Sequence, residues 1–231
     1  MLFRSLDTII IAGDAFLGDD RSTPNYRYPA VLTALLYINL PTFLVFLILA
    51  VYMGGAASFP LFEQFIFALT GSDIHSAREG TVLWHLAGYV FTGGLLMGSA
   101  LTIPAHELVH HKKKKTDWIM GNIMMAFTCD NAFAIEHVHG HHKNVGLASD
   151  PSTAKRGEGL FHFLFNASFL EHRDGWKIEI SRLRKRGFML WGFHNRMLQG
   201  YTSSTLIMVI AYYISGFAGL IIFLGDQKRV V

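Results

Sequence analysis

With 231 residues, of which 51% are hydrophobic and 16% charged, and a mean hydropathy of +0.32, the chain is read as one apolar domain on the membrane side of the soluble range. Its net charge of +3 is modest, and the basic residues cluster beside apolar runs, which marks a cytoplasmic membrane face rather than a nucleic-acid binder. Cys129 stands alone, which excludes an internal disulfide, a cysteine-based zinc site and an iron–sulfur cluster.

Met1 to Asp20 does not read as a cleavable signal, because the stretch has only a short apolar run and already contains Asp7, Asp14, Asp19 and Asp20. From 30 to 54 the chain carries no charge and is long enough to cross a hydrocarbon core of ~30 Å. Pro41 is expected to kink that span, and Tyr26, Tyr28 and Pro29 suit an interfacial belt at its start. A loop is expected over about 55–78, then a second uncharged span over 81–103 ending at Pro104. Within it, Gly94 and Gly98 form a small-xxx-small pattern that favours close helix packing over a groove for a thin apolar substrate. Trp84, Phe91 and Met97 of this span are read as core or lipid contacts.

Two histidine clusters follow and hold seven of the twelve histidines: His106-Glu107-Leu108-Val109-His110-His111 and Glu136-His137-Val138-His139-Gly140-His141-His142. The run Lys112 to Lys115 fixes the exit of the second span as cytoplasmic and serves as a lipid anchor. Only 24 residues, 112–135, separate the clusters. If 118–135 crossed the bilayer once, the clusters would lie on opposite faces, so a shared site requires a re-entrant or interfacial segment, with Cys129-Asp130-Asn131 as its polar break. Beyond the second cluster, 157–175 and 176–188 read as two helices lying on the interface, and 201–224 as a third span broken at Gly216. The expected architecture is an all-α membrane helical bundle with a histidine-box metal site at its cytoplasmic face.

The chemistry rests on spacing. His106 and His110, and again His137 and His141, are four residues apart, which places both rings of each pair on one face of a helix. His142 adds an adjacent ligand, and Gly140 permits a local bend that aims the pair inward. These five imidazoles exceed the three protein ligands of a catalytic zinc, which leaves two metals, or one metal plus a spare cluster. Spacing does not name the metal, because imidazole suits zinc, copper, iron and nickel alike. Glu107 and Glu136 are candidate catalytic residues that act by hydrogen-bonding a ligating imidazole and fixing its tautomer. His111 and His139 are assigned supporting or solvent-facing roles, Asp150 is either a helix cap or a site residue, and His162, His172 and His194 are isolated. A membrane zinc protease would need an acidic ligand within 201–224, which has none. A metal-binding subunit without turnover stays open.

His-Glu-Leu-Val-His at 106–110, Glu-His-x-x-Gly-His-His at 136–142 and Asp150-Pro151-Ser152-Thr153-Ala154 together resemble the first two histidine boxes of the membrane-bound alkane 1-monooxygenases, within the fatty-acid desaturase and hydroxylase superfamily. Gly18-Asp19-Asp20-Arg21-Ser22 through Pro24 is similar to the segment before that family's third transmembrane helix. The resemblance runs from about residue 7 to about 215. It implies a di-iron centre, Fe held by His106, His110, His137, His141 and His142, that activates O2 and hydroxylates the terminal methyl of an alkane or similar alkyl chain in an apolar channel. It also implies electrons from rubredoxin or a ferredoxin-type donor and residence in the inner membrane among its lipids. The alternatives are a lipid desaturase of the same superfamily, or an inactive metal-binding membrane fragment. No later histidine box follows His142, so 1–231 is expected to be a partial domain, truncated at both ends and unable by itself to hydroxylate at a useful rate.

Overall fold

A computed structural model describes residues 12–13, 15–16, 27–111 and 113–227. The stretch read for a cleavable signal, the Gly18–Pro24 resemblance, Tyr26 and Lys112 are therefore not covered, apart from those few positions. Met1–Thr33 and Ala34–Val231 form two compact units. In the first, the opening turn of helix α1 (Pro29–Gly54) is closed by Thr33 Oγ1 donating to the Pro29 carbonyl at 3.3 Å. The rest of the description concerns the second.

Every regular element among the described residues is helical. Helix α1 continues through Pro41 to Gly54. The expected loop over 55–78 instead contains two helices, α2 (Pro60–Thr70) and α3 (Ile74–Glu79). The reason is visible in the end signals. Pro60 opens α2 where its missing N–H is not needed, and Gly71 closes it in the left-handed region at φ 71°. Asp73 then caps α3 by accepting from the backbone N–H groups of His75 (3.0 Å) and Ser76 (3.1 Å).

Next comes one unbroken run, α4 (Leu83–Leu96), the π-helical turn π1 (Met97–Thr102) and α5 (Ile103–His110). Pro104 does not end it. Proline lies in the first turn after π1, where the hydrogen-bond ladder has already shifted register, and Thr102 Oγ1 donates to the Met97 carbonyl at 3.2 Å. The small-xxx-small reading holds only in half: Gly94 is buried, whereas nothing lies within 4 Å of a Cβ placed on Gly98. Met97 is fully buried, and Trp84 is 84% exposed.

Helix α6 (Lys115–Phe127) packs tightly on α5 at Gly121, where a Cβ would come within 3.1 Å of the Ala105 carbonyl. At 13 residues, α6 is ~20 Å long, short of a ~30 Å hydrocarbon core. A turn with Cys129 at φ 54° leads into α7 (Phe133–Glu136), a second π turn, π2 (His137–His141), and the short α8 (His142–Asn144). The two interfacial helices expected over 157–188 are one, α9 (Leu160–Lys185). Last is α10 (Arg196–Gln227), broken at Ser215 and Gly216; Gly216 has φ 57°, and the Ser215 hydroxyl donates to the Val51 carbonyl. The principal core gathers Phe43, Leu47 and Val51 of α1 with Met97, Leu101, Leu108, Met124 and Phe223. Among the described residues, three helices, Pro29–Gly54, Leu83–His110 and Arg196–Gly225, are long and apolar enough to cross a membrane. Their large apolar residues are in part outward-facing, among them Leu35, Ile38, Val45, Leu95, Tyr213 and Phe217, which suits contact with lipid.

Candidate metal centre

The two clusters meet. The 113–135 segment leaves the first and returns to it, so that Nε2 of His106 and Nε2 of His137 lie 2.8 Å apart. Within the first box, His106 and His110 take the α-helical spacing and their Nε2 atoms are 3.3 Å apart. In the second box the spacing is different. The π turn carries about one extra residue per turn, so the ring above His137 is that of His142, five residues on, with Nε2 atoms 3.0 Å apart. The result is a group of four, His106, His110, His137 and His142, each offering one nitrogen, all within 4.8 Å of one another.

His141, the expected partner of His137, lies beside this group. Its ring stacks on His137 at 5.1 Å and 23°, while its Nδ1–H donates to Asp150 Oδ2 at 2.9 Å. Asp150 precedes no helix and instead pairs with His141. Its fully buried side chain also accepts from Thr153 Oγ1 and from the Ser152 backbone N–H. Burial pushes this carboxyl up, but those hydrogen bonds and His141 outweigh burial and hold it below the usual carboxylate range. A carboxylate on Nδ1 fixes the imidazole tautomer and leaves Nε2 free to ligate.

The role of Gly140 differs from the expected bend. A Cβ there would run into the Glu136 carboxyl and lie 3.3 Å from Ile178, so glycine is needed for close packing. Glu136 is 2% exposed. Burial, with Glu171, Asp150, Asp174 and Asp130 in its surroundings, raises its pKa to about 7. Glu107 points outward and pairs with His111 Nε2 at 3.2 Å.

Two supporting groups were not anticipated from the sequence. Phe133 stacks on His137 at 4.4 Å and 10° and meets His106 edge-on at 5.7 Å, forming the apolar back wall of the pair. Asp117, 1% exposed, accepts from His111 Nδ1–H (2.7 Å), from Lys114 Nζ (2.9 Å) and from the Tyr37 hydroxyl, tying the end of the first box to α1. Both signals were in the sequence only as an aromatic and an acid near the boxes, without a spacing rule to single them out. His162, His172 and His194 stay apart from the group: His162 bonds Glu158, His172 bonds the Ser168 carbonyl and His194 stacks on Phe188. A cleft of about 680 Å³ bordered by His110, His142, Lys113 and Lys114 opens the group to solvent.

The donor set fits a cation. Imidazole nitrogens at 2.8–3.3 Å, with no carboxylate among the four, set lone pairs against one another unless a positive centre or a shared proton lies among them. Burial, then the neighbouring histidines, lower the pKa of His137 to about 3, so the ring is neutral at pH 7, as ligation requires.

An all-helical membrane bundle with a histidine group at the end of one span is the class these features define. The fatty acid desaturase family model matches residues 81–227, and the chain belongs to that family. Among curated proteins it is 33% identical over 139 residues to alkane 1-monooxygenase 1 of Pseudomonas aeruginosa, covering 60% of this chain and 36% of that one. It is 29% identical over 226 residues to alkane 1-monooxygenase of Pseudomonas putida, covering 94% and 47%. With the xylene/toluene monooxygenase hydroxylase component of Pseudomonas putida it shares 27% identity over 134 residues, 57% and 35% of the two chains. The chain thus spans less than half the length of each of these relatives.

Proposed function

We propose that the chain forms part of a non-haem di-iron membrane monooxygenase that hydroxylates the terminal methyl of alkanes or similar alkyl chains. The observation that carries this reading is the convergence of His106, His110, His137 and His142 through the π turn, in a chain whose similar relatives are named for alkane oxidation. These four, with His141 beside them, would hold iron, which would supply O2 activation. The chain's own residues do the rest. Phe133 excludes water from the His106–His137 pair, and Asp150 keeps His141 in one tautomer. Glu136, with its pKa near neutrality and its carboxyl packed on π2, can hold a proton beside the ligand turn without placing a second negative charge there.

In this reading both boxes lie at the cytoplasmic face of the inner membrane, with 118–135 interfacial, and 1–231 acts as one desaturase-like domain with spans near 30–54, 81–103 and 201–224. The Lys112–Lys115 run supports that orientation. A rubredoxin or ferredoxin-type donor delivers electrons. The family model's own description, fatty acid desaturase, favours a second reading, desaturation of a lipid chain.

Product analysis separates the two. Membranes in which the chain is completed with the remaining length of a similar alkane 1-monooxygenase, given octane, NADH, rubredoxin and its reductase under isotopically labelled O2, should yield labelled 1-octanol, and the 231-residue chain alone little or none. An alkene without label would favour desaturation, and neither product, with iron bound, would remove the monooxygenase reading.

A further inference from the structure

Away from the histidine group, a cleft of about 620 Å³ lies where α9, π2 and the start of α10 meet. Its walls carry His139, Lys177, Arg182, Lys185, Arg186 and Arg196. We propose that this cleft binds the phosphate headgroup of an anionic phospholipid in the leaflet where α10 begins its span.

Charge is the first argument. Five cationic side chains face only two carboxylates: Asp174, which pairs with Lys177 at 2.8 Å, and Glu179, which is shared by the two inner arginines. Lys185 and Arg186 are exposed and make no ion pair among the described residues. The cleft therefore keeps an excess of positive charge with no acid of its own to answer it.

Preorganisation is the second. Glu179, with its side chain fully buried, accepts from Arg182 Nε and Nη2 (2.8 and 2.6 Å) and from Arg196 Nε, Nη2 and backbone N–H (2.9, 2.7 and 2.8 Å). Both guanidiniums are held in place on that side, and their Nη1 groups have no partner among the described residues. A planar guanidinium fixed in this way matches the oxygens of a phosphate, and little side-chain entropy is left to lose on binding.

Depth and the adjoining apolar surface select a lipid over a free anion or an acidic protein. Arg196 is the first residue of the apolar helix Arg196–Gly225, so the cleft lies at the level where that helix leaves the hydrocarbon. The residues that follow Arg186 carry Met189, Trp191 and Phe193, exposed to 78%, 80% and 95%. A headgroup site flanked by outward-facing tryptophan, phenylalanine and methionine is the arrangement of an interfacial anchor, with aromatic rings at headgroup depth and cations on the phosphates.

The test is native mass spectrometry of the detergent-purified chain incubated with equimolar phosphatidylglycerol and phosphatidylcholine of identical acyl chains. Wild type should retain one phosphatidylglycerol in preference to phosphatidylcholine. The Lys185→Gln/Arg186→Gln variant should lose about tenfold or more of that retention, two cations having been removed from the cleft. Lys155→Gln/Arg156→Gln, an equal charge loss on an exposed segment elsewhere, should retain it. Equal retention of the two lipids by wild type, or undiminished retention by the cleft variant, would overturn the proposal. So would displacement of the lipid by an equal concentration of glycerol phosphate, which would make this a free-phosphate site. A cleft variant that keeps the lipid but loses binding of an acidic electron carrier would show a protein dock instead.

Discussion

His137 and His142 bring their Nε2 atoms to 3.0 Å across five residues, whereas His137 and His141, four residues apart, stack with His141 turned toward Asp150. The π turn over His137–His141 produces this difference and decides which imidazole joins the first box. An ordinary α-helical turn there would swap the two roles.

The first prediction follows from that register. His142→Ala should lower iron retention about tenfold or more, whereas His139→Ala, outside the group of four, should stay within about twofold of wild type. Elemental analysis after dialysis against a chelator gives the comparison. Equal losses from the two variants would mean that the group of four is not the ligand set.

Asp150→Asn should weaken metal binding by about 10–100-fold with the helical content unchanged, because the amide cannot hold the Nδ1–H of His141 as the carboxylate does. Its effect should not add to that of His141→Ala, since both variants remove the same oriented ring. Competitive titration with a chromophoric chelator measures each.

The first box was legible in the sequence because four-residue spacing in an α-helix does what the pattern says, and His106 and His110 meet as expected. The second box was legible in composition but not in register: the adjacent pair His141-His142 supplies a ring for either an α or a π turn, and periodicity alone does not choose between them. The break at Gly216 could be read because glycine is the residue that takes φ 57° without a Cβ penalty. Asp117 could not, because its three partners come from α1, from the end of the first box and from its own helix start, and only the packed fold brings them together.

Asp117 gives a pH prediction. Burial raises its pKa, but hydrogen bonds from Tyr37, Lys114 and His111 outweigh burial and lower it to about 2. A carboxyl depressed in the folded state stabilises fully above its unfolded value of about 3.9 and loses that stabilisation as pH falls through about 2. Asp117→Asn should therefore cost about 1–3 kcal/mol at pH 7 and close to nothing near pH 2. Thermal unfolding of both proteins across that range tests it; a difference independent of pH would show that the charge is not what Tyr37, Lys114 and His111 recognise.

Glu179→Gln should be among the more damaging single changes outside the metal group, costing about 3–5 kcal/mol, because it leaves Arg182 and Arg196 without their shared buried carboxylate. The unfolding midpoint should fall by several degrees. Lys185→Gln, on the exposed rim of the same region, should leave it nearly unchanged.

Iron K-edge X-ray absorption of the iron-loaded protein tests the central claim most directly. If His106, His110, His137 and His142 hold the metal, the spectrum shows strong imidazole multiple scattering, which falls in His142→Ala and is retained in His139→Ala. A spectrum fitted by oxygen ligands alone, or one unchanged by His142→Ala, would contradict the account.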